Sequence, residues 1–169
     1  MAATSEARRR LLCGLWTSLV FGCIPAGGAR PPAAVDGTVP LGPGPSFAEV
    51  IHGRVTVIDF WATWCEPCRV SIPKVIAFAA RPDMRDVAVV GVHVGQGFET
   101  AVTFGREAGI TYPLFADPEF RLSTTLAAPR VPTIVVLDRD GAVVERAAEI
   151  DAAIEAAVAR AVQSRSTRA

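Results

Sequence analysis

An apolar, β-branched run, Val55-Thr56-Val57-Ile58-Asp59-Phe60, leads within five residues into a Cys-x-x-Cys, Cys65-Glu66-Pro67-Cys68. The run predicts a strand buried on both faces. The segment after it, Cys65–Pro67 to about Ala80, predicts a helix with Val70, Val75, Ile76, Phe78 and Ala79 on its core face and a kink at Pro73. A strand-to-helix junction explains the cysteine spacing. The first cysteine sits at a helix N-terminus, beside unpaired N–H groups and the positive end of the macrodipole, which favours thiolate over thiol. The second lies one turn along the same face and can close a disulfide. Pro67 suits the first helical turn, where the N–H it lacks would have no partner. A thiolate in this setting can attack a foreign disulfide, and the neighbouring thiol can resolve the mixed disulfide.

Other uses of the pair are weaker. Half of a zinc site would need more ligands, and only His52, His93, Cys13 and Cys23 remain to supply them. A purely structural bridge would close too short a loop to constrain much. No metal and no cofactor beyond the Cys65–Cys68 pair is expected. His93, at the end of a strand, reads as a satisfied structural residue, and His52 falls in a loop. Phe98, Phe104, Phe115 and Phe120 read as core. Gly95-Gln96-Gly97 is too short and unsupported to be a phosphate loop.

Around this junction strands and helices alternate. Asp36-Gly37 within Val35–Leu41 suggests a turn or hairpin at the entry, and Ser46-Phe47-Ala48-Glu49 has capping-box spacing for a short helix to about Ile51, ended by Gly53. A second buried strand is expected over Asp86–Val94, a helix over Glu99–Ala108, a short strand over Tyr112–Phe115 and a short helix over Pro118–Leu126. Thr133–Leu137 reads as a third long strand. Asp138-Arg139-Asp140-Gly141 then turns into Ala142–Glu145, and Ala148–Val162 forms a closing helix with Ile150, Ile154, Val158 and Val162 inward. The pattern implies an α/β fold, a three-layer sandwich on a mixed sheet, over about residues 35–163.

The first residues read as an address. Arg8-Arg9-Arg10 precede twelve apolar or small residues, Leu11–Gly22. That is too short for a bilayer core of about 30 Å but suits a secretory signal over residues 1–22. Val20-Phe21-Gly22-Cys23 resembles a lipoprotein cleavage box, which would leave Cys23 lipidated; cleavage after Ala29 is the alternative. Residues 23–34, rich in Pro and Gly, would be a flexible tether, and 164–169 a disordered tail. Acidic and basic residues number 17 each, and removal of residues 1–22 leaves 14 basic and 16 acidic. Such a near-neutral chain argues against nucleic acid as a partner. Export would place the thiols in an oxidising compartment, the periplasm or outer cell surface.

Asp59-Phe60-Trp61-Ala62-Thr63-Trp64-Cys65-Glu66-Pro67-Cys68-Arg69 is similar to the active-site segment of thioredoxin-fold proteins, and most resembles the TlpA/ResA branch of membrane-tethered thiol–disulfide oxidoreductases. Val131-Pro132-Thr133 resembles that family's cis-proline segment. The strand and helix between Val92 and Val131 match the insertion of this branch. The resemblance implies a thioredoxin-like fold, Cys65 as nucleophile, Cys68 as resolving thiol, and Trp64 and Pro67 shaping the site. It further implies a cis Pro132, with Val131 offering backbone hydrogen bonds to a substrate strand.

Asp59 has two readings: a carboxylate at the wet end of the strand, or a buried acid that takes the proton of Cys68. It resembles the buried acid of thioredoxins, whereas Ser71 stands where the tethered branch often has Glu. Glu66 reads as a solvated helix-start residue whose charge opposes the Cys65 thiolate. The resemblance implies client proteins with cysteine pairs, such as apocytochromes c or copper-site proteins, kept reduced by a monomer that a membrane electron donor re-reduces. The competing functions are a disulfide-donating oxidant and a copper-transfer module on the same cysteines. A peroxidase reading is weaker, because the segment is of the C-x-x-C kind.

Overall fold

The computed structural model describes residues 37–164. The expected leader, the Cys23 lipidation site, the tether and all but Ser164 of the expected tail lie outside the described residues. Within them, β1 (Val39–Pro40), β2 (Thr56–Trp61), β3 (Ala88–Val94), β4 (Leu114–Asp117), β5 (Thr133–Leu137) and β6 (Val143–Ala147) form one mixed sheet. Its order is β1-β4-β3-β2-β5-β6. β2, β3 and β4 run parallel, while β1, β5 and β6 pair antiparallel with their neighbours. The helices are α1 (Phe47–Ile51), α2 (Glu66–Ala79), α3 (Phe98–Glu107), α4 (Arg121–Thr125) and α5 (Ala152–Gln163). Among the described residues no helix is long and apolar enough to cross a membrane.

β2 is apolar at almost every position because it is central and covered on both faces; all six of its residues are buried. Val57 belongs to one buried cluster with Val75 and Phe78 of α2 and Ile154 and Val158 of α5. Its neighbours Ile58 and Phe60 join the cluster that holds Phe47 and Ile51 of α1 and Leu122 of α4. There the ring of Phe47 meets Phe115 edge-on at 5.2 Å. The Ser46–Glu49 capping box is formed, with the Ser46 N–H donating to the Glu49 carboxylate at 2.7 Å.

Several expectations are corrected. Residues 39–40 form no local hairpin; they pair with Ala116 and Phe115 at the far edge of the sheet. β4 begins at Leu114, not Tyr112, because Pro113 has no N–H to give a ladder. α4 begins at Arg121, not Pro118. The buried Asp117 carboxylate accepts the N–H groups of Leu122 and Ser123 at 3.3 and 2.8 Å, which leaves Pro118 and Glu119 in the turn. α5 starts behind Asp151, whose carboxylate accepts from the Ile154 N–H at 2.9 Å, so residues 148–150 precede the helix.

On α2 the inward face is Cys68, Ser71, Ile72, Val75 and Phe78, and the helix continues unbroken through Pro73. Val70, two residues past the inward Cys68 and so on the other side of the helix, is 67% exposed rather than core. Phe115 is core and Phe104 half-buried, but Phe98 and Phe120 are exposed. Phe98 opens α3 at its outer end, and Phe120 sits in a left-handed turn with φ 57°.

Candidate active site

The C-terminal end of β2 delivers the chain into a tight turn in which the Cys65 N–H donates to the carbonyl of Ala62 at 3.1 Å. Cys65 is then the N-cap of α2, and its Sγ accepts the backbone N–H of Cys68 at 3.2 Å. Cysteine thus occupies the place where Ser or Asp usually caps a helix, and the positive end of α2 points at its sulfur. Cys65 and Cys68 form a disulfide across 5.3 Å between their Cα atoms. Cys68 is wholly buried and Cys65 is 3% exposed, so Cys65 is the outer sulfur.

Trp64 stands 70% exposed beside the disulfide. Pro67 is exposed in the first turn of α2. Glu66 is likewise at the surface, 3.4 Å from Arg69. The Arg69 guanidinium lies over the Phe104 ring, 4.8 Å from its centroid, at the mouth of a cleft of about 260 Å³ between α2 and α3. The Val131–Pro132 peptide is cis. Val131, 63 residues past Cys68 in sequence, packs against the same core cluster that holds Cys65 and Cys68. Ser71 is buried and its hydroxyl donates to the Cys68 carbonyl at 3.2 Å.

Asp59 is not at a wet end. It is fully buried and faces Gly91 on β3 and Ile134 on β5. Oδ2 accepts from the Tyr112 hydroxyl at 2.9 Å, while Oδ1 has no partner among the described residues. Burial raises its pKa to about 7, and the bond from Tyr112 works in the opposite direction. Tyr112 in turn is pushed up, by burial first and then by the Asp59 charge and hydrogen bond, so it stays a phenol and a donor. The hydrogen bond of Asp59 is to Tyr112 and not to either cysteine.

His93 corrects another expectation. It is buried on β3 and neither ring nitrogen has a partner among the described residues. Its neighbour is the Trp61 ring, met edge-on at 5.1 Å. Burial lowers its pKa. Among the described residues no group of three or more His, Cys, Asp or Glu could hold a metal ion.

Tyr112 and Gly91 escaped the sequence reading. The signal for Gly91 was present: a glycine inside a buried strand marks close approach of another group. A Cβ there would lie 2.6 Å from Leu114 Cδ2 and 2.9 Å from Tyr112 Cε2. Tyr112 is the single tyrosine of the chain, but nothing local ties it to an acid 53 residues earlier.

The sequence profile of the AhpC/TSA family matches residues 44–146. The thiol-disulfide oxidoreductase ResA of Bacillus subtilis is 25% identical over 95 residues, 56% of this chain and 53% of that protein. The thiol:disulfide interchange protein HelX of Rhodobacter capsulatus is 31% identical over 112 residues, 64% of this chain and 61% of that protein. The chain therefore spans little more than half the length of these relatives. A thioredoxin family protein from Chlorobium tepidum superposes with a TM-score of 0.61 at 23% identity, over 73% of this chain and 90% of that one. The fold is thioredoxin-like.

Proposed function

This chain belongs to the AhpC/TSA family, and from that premise we propose that it is an extracytoplasmic thiol:disulfide oxidoreductase that reduces disulfides of client proteins. The observation that carries the reading is the Cys65–Cys68 disulfide set on the N-terminus of α2, with the Cys65 sulfur accepting the Cys68 N–H. That N–H and the helix dipole stabilise negative charge on Cys65 and make it the nucleophile.

In the reduced protein the Cys65 thiolate attacks one sulfur of a client disulfide. A Cys65–client bond forms, the client S–S bond breaks, and one client thiolate leaves. Cys68 gives its proton to Asp59, then attacks Cys65; the mixed disulfide breaks and the second client thiolate leaves. Two electrons have passed to the client, and the Cys65–Cys68 disulfide is the oxidised product. The pKa of Asp59, about 7, suits an acceptor that must also release its proton near neutrality. Trp64 and Pro67 shape the rim, and the Val131 backbone beside cis Pro132 receives the client strand. Glu66 remains in solvent. A membrane donor of electrons returns the pair to dithiol, and no cofactor besides the pair takes part.

Lipidation at Cys23 would tether the domain on the outer side of a membrane, among clients such as apocytochromes c or copper-site proteins. The relatives, a thiol-disulfide oxidoreductase and a thiol:disulfide interchange protein, support the chemistry.

The test is the reduction potential of the Cys65–Cys68 couple in the full chain, equilibrated against glutathione or dithiothreitol. A value near about −250 mV or lower fits a reductant; one near about −120 mV overturns the direction and makes the protein a disulfide donor. Cys68→Ser should trap a Cys65–client mixed disulfide that Cys65→Ser does not form.

A further inference from the structure

Outside the cysteine pair, one patch of the sheet interior is unusually polar. Asp59 stands beside Gly91, and Trp61 beside His93, in the parallel register of β2 and β3, so these residues share a face. Asp59 Oδ1, Trp61 Nε1 and both His93 nitrogens are buried without partners among the described residues. The hydrogen bond made to Asp59 comes from Tyr112, whose ring edge occupies the room that the missing Cβ of Gly91 leaves. Tyr112 also lines a cleft of about 280 Å³, together with Arg54, Arg85 and Thr111. It therefore touches both the buried carboxyl and a cavity outside the active site.

We propose that Tyr112 is a positioning residue for the proton step of Asp59: seated against Gly91, its hydroxyl donates to Oδ2 and leaves Oδ1 as the oxygen that takes the proton of Cys68. The inference rests on the reading of Asp59 as proton acceptor. The Cys68 S–H bond breaks, an O–H bond forms on Oδ1, and Tyr112 keeps its own proton throughout. A charge-assisted bond favours the ionised carboxylate, so Tyr112 offsets part of what burial does to Asp59.

The other titratable groups near this patch are few. On β3 there is His93, which burial holds toward the neutral form. On α2 Cys68 is buried, while Arg69 and Lys74 are at the surface; on α5 Glu155 and Arg160 are exposed. Arg54 and Arg85 line the cleft on the Tyr112 side.

Tyr112→Phe in the full chain keeps the ring and removes the donor. The Asp59 carboxyl, followed by carbon-13 resonance in the disulfide form, should then titrate about one unit higher. The midpoint of the Cys68-dependent resolution step should move in the same direction. In an Asp59→Asn background the same substitution should leave the pH profile where it is, a result that a merely structural role would not give.

A second measurement needs no variant. Tyr112 is the single tyrosine, so its phenol C–O band in the infrared spectrum of the unsubstituted protein should shift with the Asp59 midpoint. A tyrosine band that stays flat across that titration, or an Asp59 titration unmoved in Tyr112→Phe, overturns the role of Tyr112 even where Asp59→Asn alters the exchange profile. An Asp59→Asn protein with an unaltered profile overturns the proton-acceptor reading itself, and the positioning role with it.

Discussion

Asp59→Asn should make the protein more stable above neutrality and alter how stability depends on pH. Asp59 is fully buried, and its pKa rises from the ordinary 3.8 to about 7 in the fold. Between those values the native chain holds a proton that the unfolded chain has released. The Asp59 contribution is thus fully present below about pH 4 and is lost progressively as pH rises to about 7. The slope is about 1.4 kcal/mol per pH unit for one proton. From about pH 5 to the native pKa the wild-type chain therefore loses about 3 kcal/mol that the Asn chain keeps. The Asn carbonyl can still accept from Tyr112, so packing is preserved. His93 works the other way, since its lowered pKa removes stability as pH falls through the ordinary histidine range. Both chains contain it, and the difference between them cancels it. The assay is guanidinium unfolding of the two oxidised full chains at about pH 5 and about pH 8. The Asn-minus-wild-type stability should grow by about 3 kcal/mol across that interval. Parallel curves would refute the argument, because they would mean that Asp59 ionises in the fold as easily as in the unfolded chain.

Three further outcomes follow from the packing. Asp117→Ala leaves the N–H groups of Leu122 and Ser123 without their acceptor, which should cost about 2–4 kcal/mol in equilibrium unfolding and speed hydrogen exchange at those two amides. Gly91→Ala drives a methyl into Leu114 and the Tyr112 ring and should cost about 1–3 kcal/mol, with a lower Tm. Glu66→Gln removes an exposed ion pair with Arg69 and should leave the unfolding midpoint unchanged.

What local chemistry controls was legible in the chain. The β2-to-α2 junction, the Ser46 capping box and the bounds of β5 each follow from residues within one turn of where they act. What escaped was settled at a distance. The start of α4 is set by Asp117, whose carboxylate reaches N–H groups five and six residues along. The pairing of residues 39–40 depends on an edge that β4 leaves open some 75 residues later. Val70 was misplaced because a helical face is fixed by its most constrained member, here the inward Cys68, and periodicity alone leaves the phase free. Asp59 was legible as a candidate buried acid, but the hydrogen bond it accepts comes from Tyr112, 53 residues along. Hydrophobic pattern is silent about such a bond.

The presence of Ser71 on α2 bears on how the proposed site divides its work. The Ser71 hydroxyl bonds the Cys68 carbonyl inside the helix and carries no charge. A carboxylate in that buried place would need its own partners. Asp59 instead sits in the sheet, with Tyr112 on one oxygen. Under the proposed mechanism, charge on the Cys65 sulfur is governed by the N-terminus of α2, and proton uptake by the sheet interior. In that mechanism two elements with separate sequence determinants set two separate properties. A substitution that weakens the α2 N-terminus should shift the acidity of Cys65 and leave the Asp59 titration in place, while Tyr112→Phe should do the reverse. A single helix-borne acid beside both sulfurs could not be uncoupled in this way, because any change in its charge would act on nucleophile and resolving thiol together.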